Sequence, residues 1–92
     1  MQTRIAFADL PRDQQLCLVT AVRCNGLSRC AIGWVGRHYH AHEGSSVHLI
    51  QPIAGLARRG LLTLCDGVGA ALPTDDGIAV FNGVAAERAV HA

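Results

Sequence analysis

The stretch Ser45-Ser46-Val47-His48-Leu49-Ile50-Gln51-Pro52-Ile53-Ala54-Gly55-Leu56-Ala57-Arg58-Arg59-Gly60-Leu61-Leu62 decides how this chain is read. Ser45 or Ser46 can cap the orphan amides of a helix start. Leu49, Ile50, Ile53, Ala54, Leu56, Ala57 and Leu61 recur at steps of three and four and make one wide apolar face. The other stripe is His48, Gln51, Pro52, Gly55, Arg58 and Arg59, which a core would reject. Gly60 can take the left-handed backbone that stops a helix, and Leu61-Leu62-Thr63-Leu64 then has strand composition. The spacing predicts a helix that packs one face inward and presents the other.

Outward from that stretch, 92 residues make one domain, 1–92, with residues 1–8 as an N-terminal arm or edge strand. Half of the chain is apolar, enough for a core and too much for a disordered segment. The net charge of +1 excludes a strongly basic nucleic-acid binder and an acidic DNA mimic alike. All eight cationic side chains are Arg. Four aromatic residues give no platform for stacking single-stranded bases. The first ten residues hold too short an apolar run for a signal peptide. No segment reaches the roughly 20 apolar residues of a membrane span. The expected location is the cytoplasm, with Cys17, Cys24, Cys30 and Cys65 reduced.

Toward the N-terminus, Asp9-Leu10-Pro11 opens a helix that runs to about Cys24 and ends at Asn25-Gly26. Ser28 reads as the cap of a second helix, with Leu27 stapled onto Ile32 and a buried side of Ala31, Ile32, Trp34, Val35 and Tyr39. Gly33 and Gly36 count against that helix by about 1 kcal/mol each. Toward the C-terminus, Asp66-Gly67 turns Leu61 to Cys65 into Val68 to Leu72 as a hairpin. Residues 74–90 allow two readings. Thr74-Asp75-Asp76 can cap one long last helix, or Ile78 to Phe81 forms a third strand before a shorter helix. The longer helix is preferred.

The resulting class is α+β, mainly α. From Ser45 onward the chain resembles a winged helix-turn-helix domain of the MarR or LexA-like type, with three helices, a β-hairpin wing and a C-terminal helix. The resemblance rests on Ser45-Ser46-Val47-His48, on Leu56-Ala57-Arg58-Arg59-Gly60-Leu61-Leu62, and on Leu72-Pro73-Thr74-Asp75-Asp76-Gly77. It implies that the first group opens a recognition helix, the second leads into the wing, and the third closes the wing. Two residues depart from the pattern: Pro52 falls inside the recognition helix, and the wing tip Asp66-Gly67-Val68-Gly69 offers phosphate a carboxylate and no cation.

The functional expectation is a small DNA-binding transcriptional regulator. Ser46, His48 and Gln51, with Ser45 beside them, would read base edges, and Arg58, Arg59, Arg29 and Arg37 would neutralise phosphates. The alternative is a winged-helix module that binds protein, such as a subunit or a phage-type inhibitor (anti-CRISPR-like) docking on a host nucleoprotein complex. Near-neutral charge, the acidic wing and the uncharged Pro52 and Gly55 favour that alternative. Val84-Ala85-Ala86 through Ala89-Val90 suit homodimerisation through the last helix.

His38, His40 and His42, with His48 nearby, invite a metal reading, but alternate residues diverge at a helix end and turn, so no metal and no cofactor is expected. The cysteines lack Cys-x-x-Cys spacing and read as small buried hydrophobes. No nucleophile elbow, phosphate-cradling loop or His-Glu-x-x-His helix is present, so the chain is not expected to be an enzyme.

Overall fold

Leu10 and Pro11 set the entry to the first helix, because proline lacks the N–H that a helix start leaves unpaired in any case. In a computed structural model that describes residues 5–37 and 47–91, side chains at 66 and 84–91 excepted, α1 spans Arg12–Arg23. The expected start at Asp9 is instead the end of a single 3-10 turn, Phe7–Asp9. The Gln15 side-chain amide donates to the carbonyls of Phe7 and Leu10, at 3.2 and 3.0 Å, and ties that turn to the helix. Cys17, Leu18 and Ala21 form the buried side of α1. The helix stops as expected at Asn25-Gly26, where the Gly26 amide donates back to the Ala21 carbonyl at 2.7 Å.

The second helix of the sequence reading is absent. Residues 27–36 form a hairpin, β1 (Leu27–Cys30) and β2 (Gly33–Gly36), with Leu27 opposite Gly36 and Cys30 opposite Gly33. Gly33, one of the two glycines that counted against a helix, is a local reason. Gly33 sits at φ +142, where a side chain would be strained, and it follows the two-residue turn Ala31-Ile32. Leu27 and Trp34 face the core, and Trp34-Val35 has the bulk that favours a pleated surface.

The central helix, α2, spans Ile50–Arg58 and is shorter than the sequence suggested. Leu49 is its extended N-cap residue, so Ser45 and Ser46, the expected caps, lie outside the described residues. Pro52 is the third helical residue and costs no internal hydrogen bond. Gly60 takes the left-handed conformation expected of it, φ +77, and the Leu61 amide closes the helix onto the Leu56 carbonyl at 2.9 Å. The predicted hairpin follows as β3 (Leu62–Cys65) and β4 (Ala70–Pro73).

The last helix, α3, spans Asp75–His91, the longer of the two readings. Thr74 caps it: the Gly77 amide donates to Thr74 Oγ1 at 3.0 Å, while the Thr74 hydroxyl donates to the Gly60 carbonyl at 2.6 Å. One side chain thereby joins the end of α2 to the start of α3.

The strands form one antiparallel sheet in the order β2-β1-β4-β3. β1 and β4 meet with Leu27 opposite Ala71 and Ser28 opposite Ala70. α1 packs on α2, α3, β4 and β2, and α2 packs on β3. Leu18, Leu27, Ile53, Leu56 and Cys17 are fully buried, with Trp34, Leu61, Leu62 and Ala71 completing the core. The architecture among the described residues is therefore α+β, three helices on a four-stranded antiparallel sheet. No described helix is long and apolar enough to cross a membrane.

Candidate interaction surface

α2 owes its orientation to a close crossing with α1. Gly55 is buried at that crossing, and a Cβ there would overlap the side-chain amide of Gln14. Pro52 is buried too, beside Ile53 and Leu56. The buried face of α2 is thus Pro52-Ile53 with Gly55-Leu56, which includes two residues the periodicity had placed outside. Gln51 is exposed in the first turn, and Arg58 and Arg59 are exposed at the other end. Arg59 Nε donates to Gln14 Oε1 at 3.0 Å, which fixes one of those two cations against α1.

The segment entering α2 behaves differently from its composition. Val47-His48-Leu49 runs along the outer edge of β2, where Trp34 and His48 exchange two backbone hydrogen bonds of 2.9 and 2.8 Å. Val47 lies over Gly33, in the space a side chain at that glycine would need. His48 points inward and is only 9% exposed, with Nε2 2.9 Å from Thr20 Oγ1 on α1. Burial lowers its pKa from the usual 6.5 by penalising the charged form. The imidazole expected to read base edges is therefore part of the packing between α1 and the sheet edge.

The arginines expected to neutralise phosphates sit on different elements. Arg29, on β1, lies over the Trp34 ring with its guanidinium carbon 5.9 Å from the ring centre. Arg37 follows β2 and reaches back to the Asn25 carbonyl at 3.3 Å, near the end of α1. Arg59 stands by the start of α1, through Gln14, and Arg58 is exposed at the end of α2. Ser45, Ser46 and the histidines at 38, 40 and 42 lie outside the described residues, as do the side chains of Val84 to Val90 on which homodimerisation was argued. Among the described residues no group of three or more His, Cys, Asp or Glu could hold a metal ion.

What the structure gathers at the start of α2 is apolar. Leu49 is 64% exposed, with Val47 and Ile50 also open to solvent. Ile32, at the β1–β2 turn, is 63% exposed and adjoins Gly33, over which Val47 lies. At the β3–β4 turn, Val68 is 80% exposed and Gly69 lies against Arg29. Periodicity missed this surface because it assigned Leu49 and Ile50 to the buried stripe. Leu49 precedes the first helical turn, so a helical wheel has no authority over it. The detectable signal was the run of apolar residues on both sides of His48.

No family model, curated protein or solved structure matches the chain.

Proposed function

We propose that this chain is a protein-interaction module that docks through the entry to α2. The observation that carries this reading is the exposed row Val47, Leu49 and Ile50, extended by Ile32 and bordered by Gln51. Contiguous exposed apolar side chains with a polar border are characteristic of protein-binding surfaces. A duplex groove offers such side chains little beyond thymine methyl groups. Of the winged-helix resemblance only the order of a helix followed by a hairpin supports a presented α2, since the helix expected before it is the β1–β2 hairpin and β4 belongs to a four-stranded sheet.

The DNA-binding regulator is the competing reading, and exposed Gln51, Arg58 and Arg59 are what it retains. Against it stand the inward His48 and the scattered arginines, since affinity for DNA needs phosphate contacts acting together. The test pairs two double variants. Leu49→Asp with Ile50→Asp is expected to keep the fold and abolish recovery of a specific protein partner from nuclease-treated native lysate. Arg58→Ala with Arg59→Ala is expected to leave that recovery intact. Salt-sensitive binding of the wild type to duplex DNA, lost in the arginine variant and kept in the aspartate variant, would overturn the proposal.

A further inference from the structure

Among the described residues, the hydrogen bonds that hold the segment Val47–Leu49 to the sheet and to α1 meet at one residue. The His48 backbone makes both hydrogen bonds to Trp34, and its side chain makes the bond to Thr20. It is also the single polar or charged side chain among the buried described residues. Gly33 allows the close seat, because a Cβ there would fall 2.7 Å from Val47 Cγ1 and 2.9 Å from the His48 carbonyl oxygen. The Thr20 hydroxyl donates to the Leu16 carbonyl at 3.1 Å. Its oxygen therefore faces His48 as an acceptor, and the bonding pattern assigns the neutral ring the tautomer protonated at Nε2.

We propose that His48 is a pH-sensitive latch whose protonation releases the Val47–Leu49 segment from β2 and α1 and loosens the start of α2. The cause is local. Protonation places a whole charge where the ring has one hydroxyl partner and no counter-ion among the described residues. The elements packed on it supply Thr20 and Trp34. Their other titratable or charged groups are Arg12, Asp13, Cys17 and Arg23 on α1, Cys24 at its end, and, on β1 behind Trp34, Arg29 and Cys30. Burial lowers the His48 pKa, and none of these groups is a further cause. An acid-released segment would carry Val47 and Leu49 away from the sheet edge, so the latch regulates the proposed docking surface. That consequence rests on the docking reading; the latch itself does not.

The experiment is backbone amide hydrogen exchange by NMR on the full chain at about pH 7.5 and about pH 5, each corrected for intrinsic exchange, which brackets the titration of an ordinary imidazole. Protection of the Trp34 and His48 amides is expected to fall by about tenfold for each unit separating the locked from the released pKa of the ring. The Gly26 and Leu61 amides, bonded elsewhere, are expected to keep their protection. In His48→Gln, whose side-chain amide can still donate to Thr20, the backbone amides of residues 34 and 48 should lose their pH dependence. Unchanged protection in the wild type, an equal fall at Gly26 and Leu61, or the same fall in His48→Gln would overturn the latch. A second measurement needs no variant: the Trp34 amide shift is expected to titrate with the midpoint of the His48 ring, and separate midpoints would overturn the latch as well. Neither measurement involves a partner, so failure of the docking reading leaves both interpretable.

Discussion

Gly77, in the first turn of α3, rests directly on the Leu61 carbonyl, and a Cβ at that position would overlap the carbonyl oxygen. The same oxygen accepts the Thr74 amide at 3.1 Å, so it is pinned from the other side as well. Gly77→Ala gains about 1 kcal/mol of helix propensity. The overlap is with backbone that cannot swing away, and overpacking of that kind costs about 1–3 kcal/mol. The clash outweighs the propensity, and a net loss of about 1–2 kcal/mol is expected in urea denaturation. A stabilised variant would refute the close approach.

Thr74 supports the same junction through its hydroxyl. Thr74→Ala removes the acceptor for the Gly77 amide and the donor to the Gly60 carbonyl. A lost cap of this kind costs about 1–2 kcal/mol. Thr74→Ser keeps both bonds and is expected to restore most of that stability. Equal losses in the two variants would show that the methyl group, not the hydroxyl, matters.

Stability should follow the His48 ring with a defined sign. Its folded-state pKa is lowered below 6.5, so between the folded value and 6.5 the unfolded chain binds more protons. The contribution is complete above the unfolded pKa and is lost as pH falls through the folded one. Denaturation midpoints of wild type and His48→Gln are expected to run parallel above neutrality and to converge or cross toward acid. A wild-type advantage that grows as pH falls would reverse the assigned direction.

The thiols divide by burial. Cys17 is fully buried and its pKa is pushed up to about 12, first by burial and then by the Asp13 carboxylate. Cys24 is buried as well, whereas Cys30 and Cys65 are partly open. A thiolate-directed reagent should modify Cys30 and Cys65 in the native protein and reach Cys17 and Cys24 only after unfolding. Rapid native labelling of Cys17 would contradict the packing of α1.

Much of the architecture was legible in local chemistry. The Asn25-Gly26 stop, the Gly60 turn, the hairpin across Asp66-Gly67 and the Thr74 cap each need only a few neighbouring residues to act, and each stands where the sequence put it. Residues 27–36 were misread because short apolar runs have no decisive period. Trp34 and Val35 fit a buried helix side as well as a strand, and pairing of β1 with distant β4 settles the matter. The orientation of α2 was half legible. Ile53 and Leu56 were placed inward correctly, but Pro52 and Gly55 are buried with them, Gly55 because α1 approaches there through Gln14. His48 could not be read at all, since its partners Thr20 and Trp34 come from two other elements.

The meeting of β1 with β4 has a kinetic consequence. Each hairpin closes locally, but the two are joined through Leu27 with Ala71 and Ser28 with Ala70, extended by the Arg29 amide donating to the Gly69 carbonyl at 2.8 Å, all drawn from opposite halves of the chain. Such distant pairing must meet the entropy of a long closed loop before it is rewarded. Either half alone leaves an inner strand without its neighbour, and an isolated two-stranded hairpin is marginal in water. Fragments cut between α2 and β3 are therefore expected to fold only when recombined, and the joining of β1 to β4 is expected to be the slow step in forming the intact molecule.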